Sequence, residues 1–274
     1  MLRRWFVLDK VLSVSHRSQL IRWSLAQAAI ANSPLASISR MRPLIWSVFC
    51  TKRLLTLSKP CTRNCHYDCL DTVRPQGVPQ YIHMSALSAS AERGPSRYLY
   101  SRGKGEDAVH QQGTEVVVTS LRPSIVFGPN DHFFFSFAAM LRWMPVLPLA
   151  CPNSRFAPVF VGDVVEAILR VVAEPQRFAG NRLDLCGPEV YTLRELIEFL
   201  VRTTGRRCFI VGLPDSLARL QGMVFGALPK KIFTLDNYLS LQVDSLSKEN
   251  GFPALGITPH FLGSVMEPLL RNEA

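Results

Sequence analysis

Glu115-Val-Val-Val-Thr-Ser-Leu-Arg-Pro-Ser-Ile-Val-Phe-Gly-Pro129 is the stretch on which the fold turns. Glu115–Leu121 is β-branched and apolar, the make-up of a strand buried on both faces of a parallel sheet. Arg122-Pro123 follows it, and Gly128-Pro129 supplies a turn. Upstream, Gln80–Ser85 reads as another short apolar strand, and Tyr98–Gln111 has helical character. Strand, helix, strand is one βαβ crossover, so the two strands are expected to be parallel with a right-handed connection.

The pattern continues downstream. Val159–Val161 is strand-like, and Asp163 reads as the cap of a helix running to Val172, with apolar residues at Val164, Ala167, Ile168 and Val171. Arg182–Cys186 is a strand ended by the turn Gly187-Pro188. Thr192-Leu-Arg-Glu195 is a capping box that opens a helix to about Arg202. Phe209–Val211 is a last short strand, and the remainder is mostly helical to Leu270. His132 and the cluster Phe133–Phe137 are expected to pack in the core, and His83 to be structural.

The chain has 274 residues, 47% of them hydrophobic and 19% charged, enough for a sizeable core. No uncharged apolar run reaches the ~18–20 residues of a membrane-spanning helix. The longest candidate, Trp23–Ser39, is broken by Asn32, Pro34 and several serines, which argues against an integral membrane protein. The net charge of +10 is uneven: residues 1–70 hold 11 Lys+Arg and 2 Asp+Glu, and residues 71–274 are nearly balanced. No nucleic-acid partner is expected from a basicity confined to one segment.

That segment, 1–70, is atypical. It has no Gly and no Glu, yet four of the seven Cys and three of the four Trp. Three readings stand. Arg3, Arg4, Lys10, Arg17, Arg22 and Arg40 among many serines fit a mitochondrial targeting sequence. A basic arm for anionic partners is the second. The third is an out-of-frame translation: with free codon choice, a frame offset through Pro43–Cys69 permits I-N-L-V-G-V-L-Y-E-K followed by an amphipathic helix that joins Leu70-Asp71-Thr72-Val73. Cys61, Cys65 and Cys69 beside His66 have neither a C-x-x-C spacing nor a second ligand pair, so no metal site is expected. Seven scattered cysteines suggest a reducing compartment.

Taken in order, Ser85, the Tyr98/Tyr100 region, Leu121–Pro129 and Pro158-Val-Phe-Val-Gly-Asp163 resemble the extended or atypical short-chain dehydrogenase/reductase superfamily, the NAD-dependent epimerase/dehydratase group. The Arg122–Asp131 run and Leu255-Gly-Ile-Thr-Pro259 are similar to the branch that includes the nucleotide-binding accessory subunit of respiratory complex I. The resemblance covers residues 71–274. It implies an α/β fold, an incomplete Rossmann-like doubly wound parallel sheet with a smaller C-terminal mixed α/β substrate lobe. The expected divisions are 1–70 as the atypical segment, 71–184 as the remnant of the NAD(P)-binding domain, and 185–274 as the mostly helical substrate-lobe region.

By the same resemblance Ser85 orients a substrate oxygen beside the nicotinamide, a tyrosine is the acid/base, and a cation one helical turn on lowers its phenol pKa and holds the ribose. Two registers satisfy that i,i+4 spacing. Tyr98 with Arg102 is favoured by the following Gly105-Glu106; Tyr100 with Lys104 matches Y-x-x-x-K literally. Arginine is not lysine's equivalent in hydrogen bonding. Pro123 would back the nicotinamide, with Arg122 and Ser124 beside it.

The implied cofactor is NAD or NADP, and the implied partners are the dinucleotide and a respiratory complex or membrane-peripheral partner. The implied location is cytoplasmic, peripheral to the inner membrane, or the mitochondrial matrix. A dinucleotide fold needs a glycine-rich turn after its first strand to bring backbone to the pyrophosphate. No glycine precedes Gly77, so weak or absent nucleotide binding is expected. Three function classes follow: an oxidoreductase, epimerase or dehydratase; a non-catalytic accessory or assembly subunit; or a frameshifted product without function.

Overall fold

The computed structural model describes residues 79–112, 116–129, 131–227 and 233–271. The first half runs β1 (Gln80–Met84), α1 (Arg97–Gln112), β2 (Val117–Pro123), β3 (Val126–Phe127), α2 (His132–Leu141), β4 (Val146–Leu149), β5 (Arg155–Phe156), β6 (Val159–Phe160) and α3 (Val161–Ala173). The second runs β7 (Arg182–Leu185), β8 (Tyr191–Thr192), α4 (Leu193–Thr203), β9 (Phe209–Gly212), α5 (Asp215–Gly226), α6 (Leu235–Leu241), α7 (Phe252–Leu255) and α8 (Leu262–Arg271).

The expected crossover is present. β1 and β2 pair in parallel with Met84 opposite Leu121, and β7 adds in parallel on the other side of β2 with Leu183 opposite Leu121. Among the described residues the sheet order is β1-β2-β7, so β1 is an edge. Side chains alternate across a sheet while cross-strand partners share a face. Ile82, Met84, Leu121, Leu183 and Leu185 therefore point one way, onto Val164, Ala167, Val171 and Val172 of α3. The opposite face carries His83, Ser120, Arg122, Arg182 and Asp184, and α1 covers it through polar contacts. Helices on both faces make the sheet doubly wound.

A second core lies around α4. Leu193, Leu196, Ile197 and Leu200 meet Phe134 of α2, Leu147 and Leu149 of β4, and Leu262, Met266 and Leu270 of α8. This lobe draws on both sides of residue 184: β4 pairs in parallel with β9, and β5 pairs antiparallel with β8. The Thr192 hydroxyl accepts the Glu195 N–H while the Glu195 carboxylate accepts the Thr192 N–H, so the capping box forms as its sequence requires. These bonds hold the Glu195 carboxyl below the usual range. Phe134 is fully buried, and its neighbours Phe133, Phe135 and Phe137 pack against the same core.

Two expectations are corrected. His132, expected in the core with its phenylalanine neighbours, opens α2 with its side chain exposed. Asp163 does not cap α3. The helix begins two residues earlier, with Phe160 at the cap position and no side-chain bond there. Asp163 lies in the first turn, buried, and its carboxylate accepts the backbone N–H of His260 at 2.8 Å and pairs with His260 Nδ1 at 2.6 Å. It fastens the segment before α8 to the α3 side of the sheet.

Residues 244–251 form a strap between the two cores. The Ser245 N–H donates to the Arg155 carbonyl at 2.8 Å, and the Gly251 N–H donates to the Asp184 carbonyl at 2.7 Å. Arg155 grips the Asp244 carboxylate through Nε and Nη2.

Candidate functional site

The resemblance directs attention to the carboxyl ends of β1 and β2. Ser85 follows β1, its N–H bonded to the Leu121 carbonyl at 2.9 Å. Its hydroxyl donates to Glu106 Oε2 at 2.9 Å. Glu106 lies mid-way along α1, 1% exposed, and accepts Arg122 Nε on both oxygens at 2.8 and 3.0 Å. Arg122 Nη1 in turn stands 3.9 Å from Asp184 of β7. One buried carboxylate thus gathers the ends of two strands and a helix, the condition under which a buried charge is tolerated.

The rest of this face is also polar. Arg182 Nη2 donates to Asp107 at 2.9 Å, and His110 Nε2 and Ser120 Oγ are 2.8 Å apart. Burial, with Arg182 beside it, lowers the His110 pKa below the ordinary histidine value. Burial pushes the Asp184 carboxyl up, against the opposing pull of Ser247 and Arg122.

Arg102 joins α1 to the end of β1. Its Nη1 donates to the Met84 carbonyl at 2.7 Å, and its guanidinium stands 5.3 Å from the centre of the Tyr98 ring. Tyr98 is 44% exposed. Lys104 is set over Tyr100 in the same way, at 5.5 Å, as two overlapping i,i+4 pairs require. Of the two cations, it is Arg102 that bonds the β1 terminus. Gly103 lets α1 come this close, because a Cβ there would lie 2.3 Å from the Ala91 nitrogen and the Ser90 carbonyl carbon.

The first turn of α1 is finished from elsewhere. Asp236 of α6 accepts the Arg97 N–H at 2.6 Å and the Tyr98 N–H at 3.3 Å. Ser240 of α6 donates to Ser96 Oγ at 2.8 Å, and that oxygen accepts the Leu99 N–H. A carboxylate at a helix N-terminus satisfies orphan donors and meets the positive end of the helix dipole.

Ser85, Tyr98, Arg102 and Arg122 therefore meet through α1 and the strand ends. Pro123 ends β2, its carbonyl accepting the Leu87 N–H at 3.1 Å. Ser124 turns to the strap: its hydroxyl donates to Ser245 and accepts the Ala157 N–H. Glu106 is the site residue that the sequence reading passed over. Its signal was the i,i+4 row Tyr98, Arg102, Glu106, His110, flanked by Gly103 and Gly105. Cys61, Cys65, His66 and Cys69 lie outside the described residues.

The described residues show no glycine-rich turn of the kind that meets a dinucleotide's pyrophosphate. No two of the 16 glycines stand three apart, so no G-x-x-G turn exists in the sequence, and the described strand-to-helix junctions before α2, α3, α4 and α5 end at Asp131, Phe160, Thr192 and Pro214, while the one before α1 ends at Ser96 with the single glycine Gly94.

No protein-family model matches the chain. It is 29% identical over 198 residues to NADH dehydrogenase (ubiquinone) 1 alpha subcomplex subunit 9, mitochondrial, of Arabidopsis thaliana, covering 68% of this chain and 48% of the relative. The protein of the same name in Mus musculus is 29% identical over 188 residues, covering 67% and 48%. The chain thus spans about half the length of the curated relatives it matches. Among solved structures, a nucleoside-diphosphate-sugar epimerase from Staphylococcus aureus superposes with a TM-score of 0.57 at 13% identity, covering 79% of this chain and 74% of that one. dTDP-glucose 4,6-dehydratase from Streptomyces venezuelae, solved with NAD, superposes with a TM-score of 0.56 at 18% identity, covering 76% and 63%. In fold this chain is similar to a nucleoside-diphosphate-sugar epimerase and a dTDP-glucose 4,6-dehydratase, and over about two thirds of its length its sequence is similar to the mitochondrial NADH dehydrogenase subunit 9 proteins.

Proposed function

We propose that this chain is a short-chain dehydrogenase/reductase-like protein of the epimerase/dehydratase group whose hold on NAD(P) is impaired. The observation that carries this reading is the junction of Arg102 with the Met84 carbonyl, beside Ser85 and over Tyr98. There Arg102 supplies fixed positive charge next to the tyrosine and to the place of the nicotinamide ribose, with Pro123 behind the ring. A bound nicotinamide would supply hydride chemistry at C4. The described residues offer no glycine-rich cradle for the pyrophosphate and the sequence holds no G-x-x-G, which weakens the hold.

A second reading, a non-catalytic accessory subunit of a respiratory NADH dehydrogenase, is favoured by the Ser85 hydroxyl. The Ser85 hydroxyl spends its one donor on Glu106 Oε2 at 2.9 Å. The serine oxygen can then receive a hydrogen bond but cannot polarise a carbonyl by donating one. The named subunit relatives support the same role, with a respiratory complex as partner and a mitochondrial location, and this reading places the chain at the membrane periphery.

The test is titration of the full-length chain with NADH and NADPH by fluorescence, with turnover followed on the same samples. Weak or no saturation and no turnover are expected; a soluble monomer binding NADH with micromolar affinity would overturn the impaired-binding reading. Co-purification with respiratory NADH dehydrogenase tests the second, which fails if the tagged chain is absent from that complex.

A further inference from the structure

The large apolar side chains left in solvent are concentrated in one stretch. Phe209 is 78% exposed, and Val211, Leu217, Leu220, Met223 and Val224 are each about half exposed. β4 and β9 pair with Val146 opposite Phe209 and Pro148 opposite Val211, so Val146, Phe209 and Val211 share one sheet face. Trp143, 84% exposed, stands just before β4.

At 100° per residue, Leu217, Leu220, Met223 and Val224 fall in an arc of about 120° on α5. Ala218 and Gly222, on the other side, are buried, with Gly222 against Leu235. Gln221 Nε2 donates to the Pro148 carbonyl at 3.2 Å, which sets α5 beside the β4–β9 pair. Sheet face and helix stripe are therefore neighbours, an exposed apolar area of the kind that marks an interaction surface.

Its charge is mainly positive. Residues 206–224 contain Arg206, Arg207 and Arg219 against a single acid, Asp215. The Asp215 carboxylate is engaged inward by the Tyr238 hydroxyl at 2.6 Å, which pushes the Tyr238 pKa up to about 12. Arg142 adjoins Trp143. An amphipathic helix with apolar residues along one stripe, cations beside it and a protruding Trp and Phe has the make-up of a surface that lies in the headgroup boundary of a bilayer.

We propose that α5 and the outer face of β4–β9 dock this chain on an anionic membrane surface. Shallow insertion of Phe209, Leu220 and Val224 supplies apolar burial, and the arginines meet lipid phosphate. The inference rests on the membrane-peripheral part of the second reading above and names the surface that performs it.

The full-length chain is incubated with vesicles of phosphatidylcholine, with and without phosphatidylglycerol, and binding is read by sedimentation. The basic segment 1–70 stays in every sample, so the decisive variant alters apolar residues only: Phe209→Ser with Leu220→Ser and Val224→Ser. Tighter binding to the anionic vesicles, weakened about tenfold or more in the triple variant, is expected. Equal binding by variant and parent would overturn the proposal and assign the affinity to residues 1–70. No binding by the parent would also overturn it, as would self-association of the parent that the same substitutions abolish. Hydrogen exchange on the unmutated chain is the second readout: residues 209–224 should gain protection on vesicles, and no gain there refutes the docking surface. NADH titration of the triple variant keeps the two questions apart, because its nucleotide behaviour should equal the parent's whatever the vesicles show.

Discussion

Glu106 receives Arg122 Nε on both carboxylate oxygens, at 2.8 and 3.0 Å, inside the molecule. Removing the cation leaves the buried carboxylate with the Ser85 hydroxyl and the more distant Arg182 Nε, 3.9 Å away. Arg122→Ala should therefore cost about 3 kcal/mol, the lower end for a broken buried pair because Arg122 keeps some solvent access. Glu106→Gln retains a group of the same shape and should cost nearer 1 kcal/mol. Urea unfolding of the two variants checks the order, and a larger loss in Glu106→Gln would contradict it.

Gly103→Ala tests the close approach of α1 to residues 90–91. Alanine favours a helix over glycine by about 1 kcal/mol. The added Cβ would meet backbone at 2.3 Å, and backbone cannot swing aside as a flexible side chain would. Overpacking costs about 1–3 kcal/mol, so the variant should be destabilised in thermal melts despite its better propensity. A higher melting temperature would show that the contact yields.

Acid should weaken the fold in a window set by His110. Burial lowers its pKa in the folded state below the unfolded value of about 6.5. The unfolded chain then binds a proton that the folded chain resists. Stability from this group is full above that value and is lost as pH falls below it. Melting temperature should decline between about pH 7 and pH 5, and His110→Gln should flatten the decline. An unchanged slope in that variant would assign the effect to other groups.

Asp163→Ala should release the segment that His260 anchors. Two bonds disappear, one to a backbone N–H and one to the imidazole. A loss of about 2 kcal/mol is expected, with faster hydrogen exchange around residues 257–262. Asp163→Asn, which keeps an acceptor for the His260 N–H, should lose less.

The sequence carried much of this architecture wherever its signals were local. The apolar run Gln80–Ser85, the β-branched run after Glu115 and the Thr192/Glu195 box each depend on residues a few positions apart, and each forms as read. Val146–Leu149 was not legible although its partner Phe209–Val211 was, because β4 and its register depend on a pairing more than sixty residues away. Asp163 was misread because an acid in the first turn of a helix looks, in sequence, like its cap. The Ser85, Tyr98, Arg102 and Arg122 positions came from the family resemblance. Glu106 was passed over because a single glutamate on a helix usually faces water, and only the three-dimensional arrangement shows strand ends closing over it.

The bonds from Asp236 to the start of α1 also bear on the order in which the chain becomes organised. The turn that carries Tyr98 is completed by a carboxylate 138 residues further along. During synthesis the ribosome delivers α1 long before α6, and for that interval the amides of Arg97 and Tyr98 have only water or transient partners. The loop that must close between the two is long, so its entropy is paid late in assembly. The helix bearing the tyrosine is thus tethered early along its length, by Glu106 and Arg102, and fastened at its tip only when the C-terminal lobe arrives.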